Sequence, residues 1–254
     1  MPMSPEIAAA IAGLRSLHIP TERDAALNEQ LARLLQADAS GGQLPMPVRF
    51  TCDLETRGIT VIEAAGGGKT TAVRKVLSRS AALNPPGGAP RFLAVKVPSP
   101  ATLKSLGLEI LSKTRFDEIS DRAKVWQIWH AVRHRLSHLG IVVLWIDEAQ
   151  DLFLCRSARE IDDMLKMLKS LMQGDTAVIL ILSGTERLSE ITSYDPQVNR
   201  RFTKVVPRDL AIGADEARLS KLVREYASRA EDAVRCDGTV VWGRRGGEVT
   251  DRRI

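Results

Sequence analysis

Between residues 59 and 80 a short strand-like run, Ile59-Thr60-Val61-Ile62, leads through three consecutive glycines into a helical segment that opens on Lys69-Thr70-Thr71. A loop containing Gly66, Gly67 and Gly68 can turn successive backbone N–H groups inward, because glycine reaches φ > 0 without a Cβ clash. The helix that follows adds its own unpaired N–H groups and the positive end of its dipole. Strand, glycine loop and helix in that order make an anion cradle. In such a cradle a lysine at position 69 would reach the β- and γ-phosphates of a nucleotide, and a threonine hydroxyl at position 70 would hold Mg2+. The stretch Glu63 to Thr70 follows the P-loop pattern GxxxxGK[ST] except at its first position, where Glu63 replaces glycine. A carboxylate there is an awkward neighbour for a triphosphate; either it points away or it pairs with a basic group. Taken alone, the segment also fits a glycine-rich turn with a solvated lysine.

A second element gives that loop its context. Ile141-Val142-Val143-Leu144-Trp145-Ile146 is a continuous apolar run ending in Asp147-Glu148. Such a run suits a strand covered on both faces in a parallel sheet, and its carboxyl end falls at the edge where open α/β folds bind ligands. Asp147 there can orient the shell of a magnesium ion, and Glu148 can polarise a water for in-line attack on a γ-phosphorus. A third apolar run, Ala177 to Leu182, ends in Ser183-Gly184-Thr185. Its hydroxyl either senses the phosphate or closes an ordinary turn. Asp195-Pro196-Gln197-Val198-Asn199-Arg200-Arg201-Phe202 then places two arginines before a shorter strand candidate at 203–206. One of them could stabilise transition-state charge on a neighbouring subunit's nucleotide, or both could be surface residues.

The remaining pattern alternates strands and helices, which argues for an α/β domain with a mostly parallel sheet. Helices are expected at 6–17 (Ile7, Ala10, Ile11, Leu14 on one face) and at 22–37 (Leu27, Leu31, Leu34, Leu35), the latter capped by Thr21 with Asp24 three residues on. Ser40 to Pro45 reads as a linker, and Phe92 to Val97 as a strand. Ser99-Pro100 and Ser120-Asp121 look like helix starts, Gly140 like a helix end, and 158–173 and 215–233 like further helices.

Composition narrows the setting. The chain has 254 residues, 44% hydrophobic and 26% charged, which argues against wholesale disorder. No apolar run approaches the length of a membrane span, and residues 1–6 lack the basic flank and apolar stretch of a secretory signal. Cys52, Cys155 and Cys236 are too scattered for a disulfide framework or zinc cluster, which fits reduced cytoplasmic thiols. The net charge of +5 is concentrated late, with thirteen Lys/Arg against nine Asp/Glu in residues 200–254. That balance is compatible with a polyanionic partner and equally with a solvated surface.

Together these residues resemble an AAA+ ATPase and, more narrowly, the TniB-type ATP-binding proteins of transposons, related to the Tn7-type and Mu-type transposition regulators. The resemblance rests on Gly66 to Thr71, Val97-Pro98-Ser99-Pro100, Ile146 to Gln150, Met167-Leu168-Lys169 to Ser183-Gly184-Thr185, and Asp195-Pro196-Gln197 through Arg201-Phe202. It spans roughly residues 15–210. It implies a P-loop AAA+ three-layer fold with a mostly parallel five-stranded sheet. An N-terminal helical arm (1–45), a nucleotide-binding core (46–210) and a short lid remnant with a basic tail (211–254) would make up the chain.

The resemblance also implies ATP and Mg2+ as ligands. Gly66, Gly67, Gly68, Lys69, Thr70, Thr71 and Ser183 would surround the nucleotide, and Thr70 and Asp147 the metal. Lys69, Glu148 and Arg201 would be catalytic, Arg201 acting across a subunit interface. The implied assembly is a homo-oligomeric ring or filament on double-stranded DNA that recruits or activates a DDE-type transposase and is reset by hydrolysis. Lys104, Lys113 and Arg115 are the candidates for phosphate contacts with DNA, or else ordinary exposed residues. Alternatives are a secretion or cell-envelope ATPase acting on protein, and a switch that binds ATP without hydrolysing it.

Overall fold

The computed structural model describes residues 8, 11–13, 18, 20–52, 54–116, 119, 120, 122–154, 157–208, 211 and 213–235. They divide into two compact units, Pro20–Pro207 and a smaller one of Met1–Ile19 with Arg208–Ile254. In the larger unit, helix α1 (Glu22–Leu34) starts where the Asp24 carboxylate reaches back to accept the Thr21 N–H (2.9 Å) and hydroxyl (2.6 Å). Its apolar positions at spacings of four and three, Leu27, Leu31 and Leu34, are buried, each worth roughly 1.5–3 kcal/mol relative to exposure.

The helix stops three residues short of the expectation. Strand β1 (Leu35–Ala37) instead pairs antiparallel with β2 (Gln43–Pro47). The residues between are therefore a hairpin turn, not a linker. The Asp38 carboxylate accepts the Ser40 N–H (2.8 Å), the Ser40 hydroxyl (2.6 Å) and the Gly42 N–H (2.9 Å). This local bonding competes with helix and wins.

The central sheet contains β3 (Gly58–Ile62), β4 (Phe92–Lys96), β5 (Val143–Asp147), β6 (Ile179–Gly184) and β7 (Phe202–Val205) in the order β4-β5-β6-β3-β7, all parallel. Every residue of β3, β5 and β6 is buried, as continuous apolar runs require when helices cover both faces. Alternation along the strands divides the core in two. Val143, Trp145, Ile179, Ile181, Ile59 and Val61 pack with α1 and with Val73, Val76 and Leu77 of α2 (Lys69–Arg79). Leu144, Ile146, Leu180 and Leu182 pack on the other side. There they meet α3 (Leu103–Lys113), α4 (Val125–His138) and α5 (Ala158–Leu171). The result is the three-layer α/β fold with a five-stranded parallel sheet.

Several boundaries move from their expected places. The third apolar run pairs from Ile179 through Gly184, so Ser183 belongs to the sheet and not to a turn. Ser99-Pro100 does not start a helix. Helix α3 begins at Leu103, because Thr102 and Ser105 satisfy each other's backbone: the Thr102 hydroxyl accepts the Ser105 N–H (2.9 Å) and the Ser105 hydroxyl accepts the Thr102 N–H (2.8 Å). Helix α4 likewise begins at Val125, with the Gln127 amide accepting the Lys124 N–H, and not at Ser120; Asp121 lies outside the described residues. Gly140 does close α4, in the left-handed conformation, with its N–H on Ser137 and the Ile141 N–H on Leu136. Two short helices, α6 (Glu186–Tyr194) and α7 (Pro196–Asn199), connect β6 to β7.

In the smaller unit, Asp215 receives two hydrogen bonds from the Arg208 guanidinium (2.8 and 2.6 Å) and one from the Ala211 N–H, just before α8 (Glu216–Arg235). Most of the helix expected at 6–17, Cys155, Cys236 and the polar tail around Trp242 to Gly247 lie outside the described residues. Among the described residues no helix is long and apolar enough to cross a membrane.

Candidate nucleotide-binding site

Parallel strands deliver their carboxyl ends to one edge of the sheet, and there β3, β5 and β6 place their functional residues. After β3 the chain enters the glycine loop, where Gly66 (φ 82°) and Gly68 (φ 84°) take left-handed conformations closed to most residues. Gly68 caps α2, so Lys69 and Thr70 open that helix. Lys69 is 5% exposed. Its Nζ lies 3.9 Å from Glu148 Oε1.

Asp147, the last residue of β5, joins the two elements. Thr70 Oγ1 donates to Asp147 Oδ2 at 2.8 Å, and Ser183 Oγ donates to Asp147 Oδ1 at 2.5 Å. The pairing of Asp147 with Ser183 follows from strand register. Ser183 Oγ in turn accepts the Trp145 indole N–H at 2.7 Å. Glu148 follows in a left-handed conformation (φ 55°). It precedes a 3₁₀ turn, Ala149–Phe153, in which Gln150 donates to Glu148 Oε2 (2.8 Å) and Asp151 Oδ1 (3.1 Å). Gln150 Oε1 accepts the Thr185 N–H at 3.2 Å. Lys69, Thr70, Asp147, Glu148 and Ser183 therefore converge, as their order in the sequence predicts. Thr71 is exposed on the first turn of α2.

The donor set suits magnesium better than a transition metal. Among the described residues no cluster of three or more His, Cys, Asp or Glu could hold a metal. Mg2+ needs only one or two protein oxygens and takes the rest from water and phosphates. A threonine hydroxyl and a carboxylate that already touch one another meet that requirement.

Other expected residues lie elsewhere. Arg201 does not reach a subunit surface: it is buried, and its guanidinium pairs with Glu55 of the same chain. Burial pushes the Glu55 carboxyl up, but the hydrogen bond and charge of Arg201 outweigh it and hold the group below its usual range. Arg200, on the same turn, is 61% exposed and only 3.8 Å from Glu55. Both guanidinium groups thus face Glu55, but Arg201, next to the strand that starts at Phe202, is buried while Arg200 stays at the surface. Lys104 and Lys113 sit on α3 nine residues apart, a spacing that puts them on opposite sides of the helix about 14 Å apart along its axis. Lys113 pairs loosely with Glu109 (3.7 Å), and Arg115 is exposed just past the helix end.

Residues that sequence reasoning passed over complete the site. Gln150 stands two places after Glu148, where its signal was simple adjacency. Arg23 had no such signal: from the first turn of α1, forty residues before the loop, it donates to Glu63 and, at 2.7 Å, to the Gly67 carbonyl. Glu63 thus pairs with a basic group, one of the two options open to it.

Comparison with known proteins agrees with this architecture. No curated protein matches the chain. Among solved structures, it is similar to the ORC1 protein of Aeropyrum pernix in complex with DNA, with 17% identity, TM-score 0.53, and 84% of this chain and 50% of that one covered. It is similar to Cdc6p of Pyrobaculum aerophilum, with 14% identity, TM-score 0.57 and coverage of 86% and 52%. It is also similar to the Aeropyrum pernix ORC2 protein in ADPNP–ADP complexes, with 16% identity, TM-score 0.57 and coverage of 85% and 55%. The chain spans about half the length of these proteins, and at such identities the likeness is one of fold. A family model described as an AAA domain matches residues 53–192. That match takes in the glycine loop, Asp147-Glu148 and Ser183 and covers more than half of the sequence, so the chain belongs to the AAA domain family.

Proposed function

We propose that this protein binds Mg-ATP, assembles with it on double-stranded DNA as a ring or filament, and hydrolyses it to reset the assembly. In that form it would regulate DNA transposition in the cytoplasm by recruiting or activating a DDE-type transposase. The observation that carries the nucleotide part is the junction of Thr70 and Asp147 at 2.8 Å, with Lys69 and Glu148 3.9 Å apart beside it. Lys69 is placed to neutralise the β- and γ-phosphates, and Thr70 and Asp147 to hold the metal, which when bound supplies charge stabilisation for the phosphates. Glu148, oriented by the Gln150 amide, is the group to position and polarise the attacking water. Of the two arginines ahead of β7, Arg200 is the exposed one and would be the group that reaches a neighbouring subunit.

The DNA part draws support from the segment Asp195-Pro196-Gln197 to Arg201-Phe202, which resembles TniB-type proteins, and from the fold shared with an ORC1 protein described in complex with DNA. Electron microscopy with ATP or ADP, each with duplex DNA, tests assembly, and phosphate release with and without DNA tests turnover. Expected are rings or filaments with ATP and DNA, and DNA-stimulated turnover abolished by Lys69→Ala. Assemblies indifferent to nucleotide, or turnover indifferent to DNA, would overturn the proposal in favour of a protein-directed ATPase. ATP-dependent assembly with no turnover would leave a switch without hydrolysis.

A further inference from the structure

The first position of the loop holds a carboxylate, a group that repels a bound anion. Glu63 sits directly after β3, with its side chain 19% exposed. It does not swing out to solvent. Its carboxyl lies so close beneath the loop that a Cβ on Gly67 would stand 2.3 Å from the Glu63 carboxyl carbon. An unpaired carboxylate in that place would oppose a triphosphate carrying several negative charges. At an effective dielectric near 20, two unit charges some 8 Å apart interact by the equivalent of about a tenfold change in affinity or more.

The structure supplies a counter-charge from another element. Arg23, in the first turn of α1, has its side chain only 8% exposed and forms an ion pair with Glu63. The same guanidinium nitrogen donates to the Gly67 carbonyl at 2.7 Å, and its other terminal nitrogen lies 3.4 Å from where a Gly68 Cβ would be. Arg23 Nε is buried and has no partner among the described residues. The helix that carries Arg23 is fixed by Leu27, Leu31 and Leu34 in the same apolar layer as Val73, Val76 and Leu77 of α2. Arg23 therefore reaches the loop from a rigid support, with one terminal nitrogen on the carboxylate and on the loop backbone.

We infer that Arg23 is a positioning residue of the nucleotide site: it neutralises Glu63 and braces the glycine loop, so that the loop accepts a nucleoside triphosphate despite the carboxylate at its first position. This rests on the Mg-ATP reading above and adds a residue and a role to it. The two partners then have opposite signs. Arg23 favours the ligand's phosphates and Glu63 opposes them, whereas a bond that only held the fold together would make both substitutions harmful in the same direction.

The test is the dissociation constant of Mg-ATP, measured by calorimetry on the full chain at constant ionic strength. The proteins are wild type, Arg23→Gln, Glu63→Gln, the double variant and Arg23→Lys, each checked for its nucleotide-free unfolding midpoint. Arg23→Gln is expected to weaken binding about tenfold or more, and Glu63→Gln to tighten it several-fold by freeing the guanidinium. The double variant should recover most of the loss, because the repelling charge is gone as well. Arg23→Lys, which keeps the charge, should lie between wild type and Arg23→Gln and serves where Arg23→Gln fails to fold. Equal weakening by both single variants with no recovery in the double, or no change in any, would overturn the inference while leaving ATP binding intact. A wild-type protein that takes up no Mg-ATP would overturn the nucleotide reading itself and this inference with it.

Discussion

Replacing either member of the Glu55–Arg201 pair should destabilise the larger unit, and by unequal amounts. Arg201 is 4% exposed and Glu55 13%. Breaking a buried pair by removing one partner costs about 3–5 kcal/mol, because the survivor keeps an uncompensated charge. Glu55 has substitutes at hand: the Gln173 amide at 3.4 Å, the Thr51 hydroxyl at 3.3 Å and Arg200 at 3.8 Å. Arg201→Met should therefore fall at or under the lower end, about 2–3 kcal/mol. Arg201 has no such reserve, since its Nε and Nη1 already lack partners among the described residues. Glu55→Gln should cost nearer 4 kcal/mol.

For a unit of this size each kcal/mol moves the thermal midpoint by about 2–4 °C. Midpoints should fall by roughly 6–9 °C for Arg201→Met and roughly 12 °C for Glu55→Gln. Glu55→Met/Arg201→Met should regain a good part of the loss, as apolar replacement of whole buried pairs does. Thermal and urea unfolding of the nucleotide-free protein measure these shifts. Unchanged midpoints in both single variants, with ATP turnover lost only in Arg201→Met, would refute the reasoning and return Arg201 to a role between subunits.

Ser183→Ala removes the acceptor of the Trp145 indole N–H and a donor to Asp147, both buried. It should cost about 1–3 kcal/mol in urea unfolding and weaken Mg-ATP binding. Gln150→Ala frees the Glu148 carboxylate and the Thr185 N–H; it should lower phosphate release at saturating ATP far more than it changes the dissociation constant. Mixing Arg200→Ala with Lys69→Ala subunits should restore part of the turnover that each lacks alone, whereas intact assembly with no restoration would remove Arg200 from the interface. The hydrogen bond from Lys169 (2.8 Å) holds the Asp195 carboxyl below its usual range, outweighing burial. A depressed carboxyl contributes stability above its unfolded pKa and loses it as pH falls. The destabilising effect of Lys169→Met should therefore be full near pH 7 and shrink below about pH 4.

What the sequence made legible is what depends on neighbours along the chain. The glycine loop, the strand ending in Asp147-Glu148 and the buried run before Ser183 each carry their signal within ten residues, and parallel register brings their ends together without further information. Boundaries failed where a local side-chain bond competed with periodicity. The leucine pattern of α1 continues into Leu35, yet the Asp38 turn diverts the chain into a hairpin. Thr102 and Ser105 cap each other and displace the apparent start at Ser99. Contacts between distant segments were not legible at all. Arg23 with Glu63 and Arg201 with Glu55 are separated by 40 and 146 positions, and no spacing rule announces either. Which of two adjacent arginines stays at the surface is likewise decided by their place relative to β7.

The geometry at Asp147 separates what is fixed in the site from what can respond to a ligand. Both carboxylate oxygens are held by hydroxyls from flanking elements, Thr70 from α2 and Ser183 from β6, and Ser183 is itself held by Trp145. Hydroxyls that donate to a carboxylate keep their own lone pairs available, so the threonine can offer an oxygen lone pair to a metal while its O–H still donates to Asp147. This part is pre-assembled, with Asp147 and Ser183 buried, which lowers the reorganisation needed on binding. Glu148 differs. It stands on a left-handed residue outside the strand and is held by Lys69 on one side and Gln150 on the other. A triphosphate that attracts Lys69 leaves Gln150 as the remaining tether, and Gln150 is bonded to the backbone at Thr185, the residue before α6. From α6 the chain passes through α7 to Arg200. In the proposed nucleotide complex, one amide side chain would thus link Glu148 to the backbone at the start of the segment that leads to the exposed arginine. The same connection gives a physical reason for Gln rather than another polar residue at position 150: its amide donates to the acid and accepts from the backbone at once.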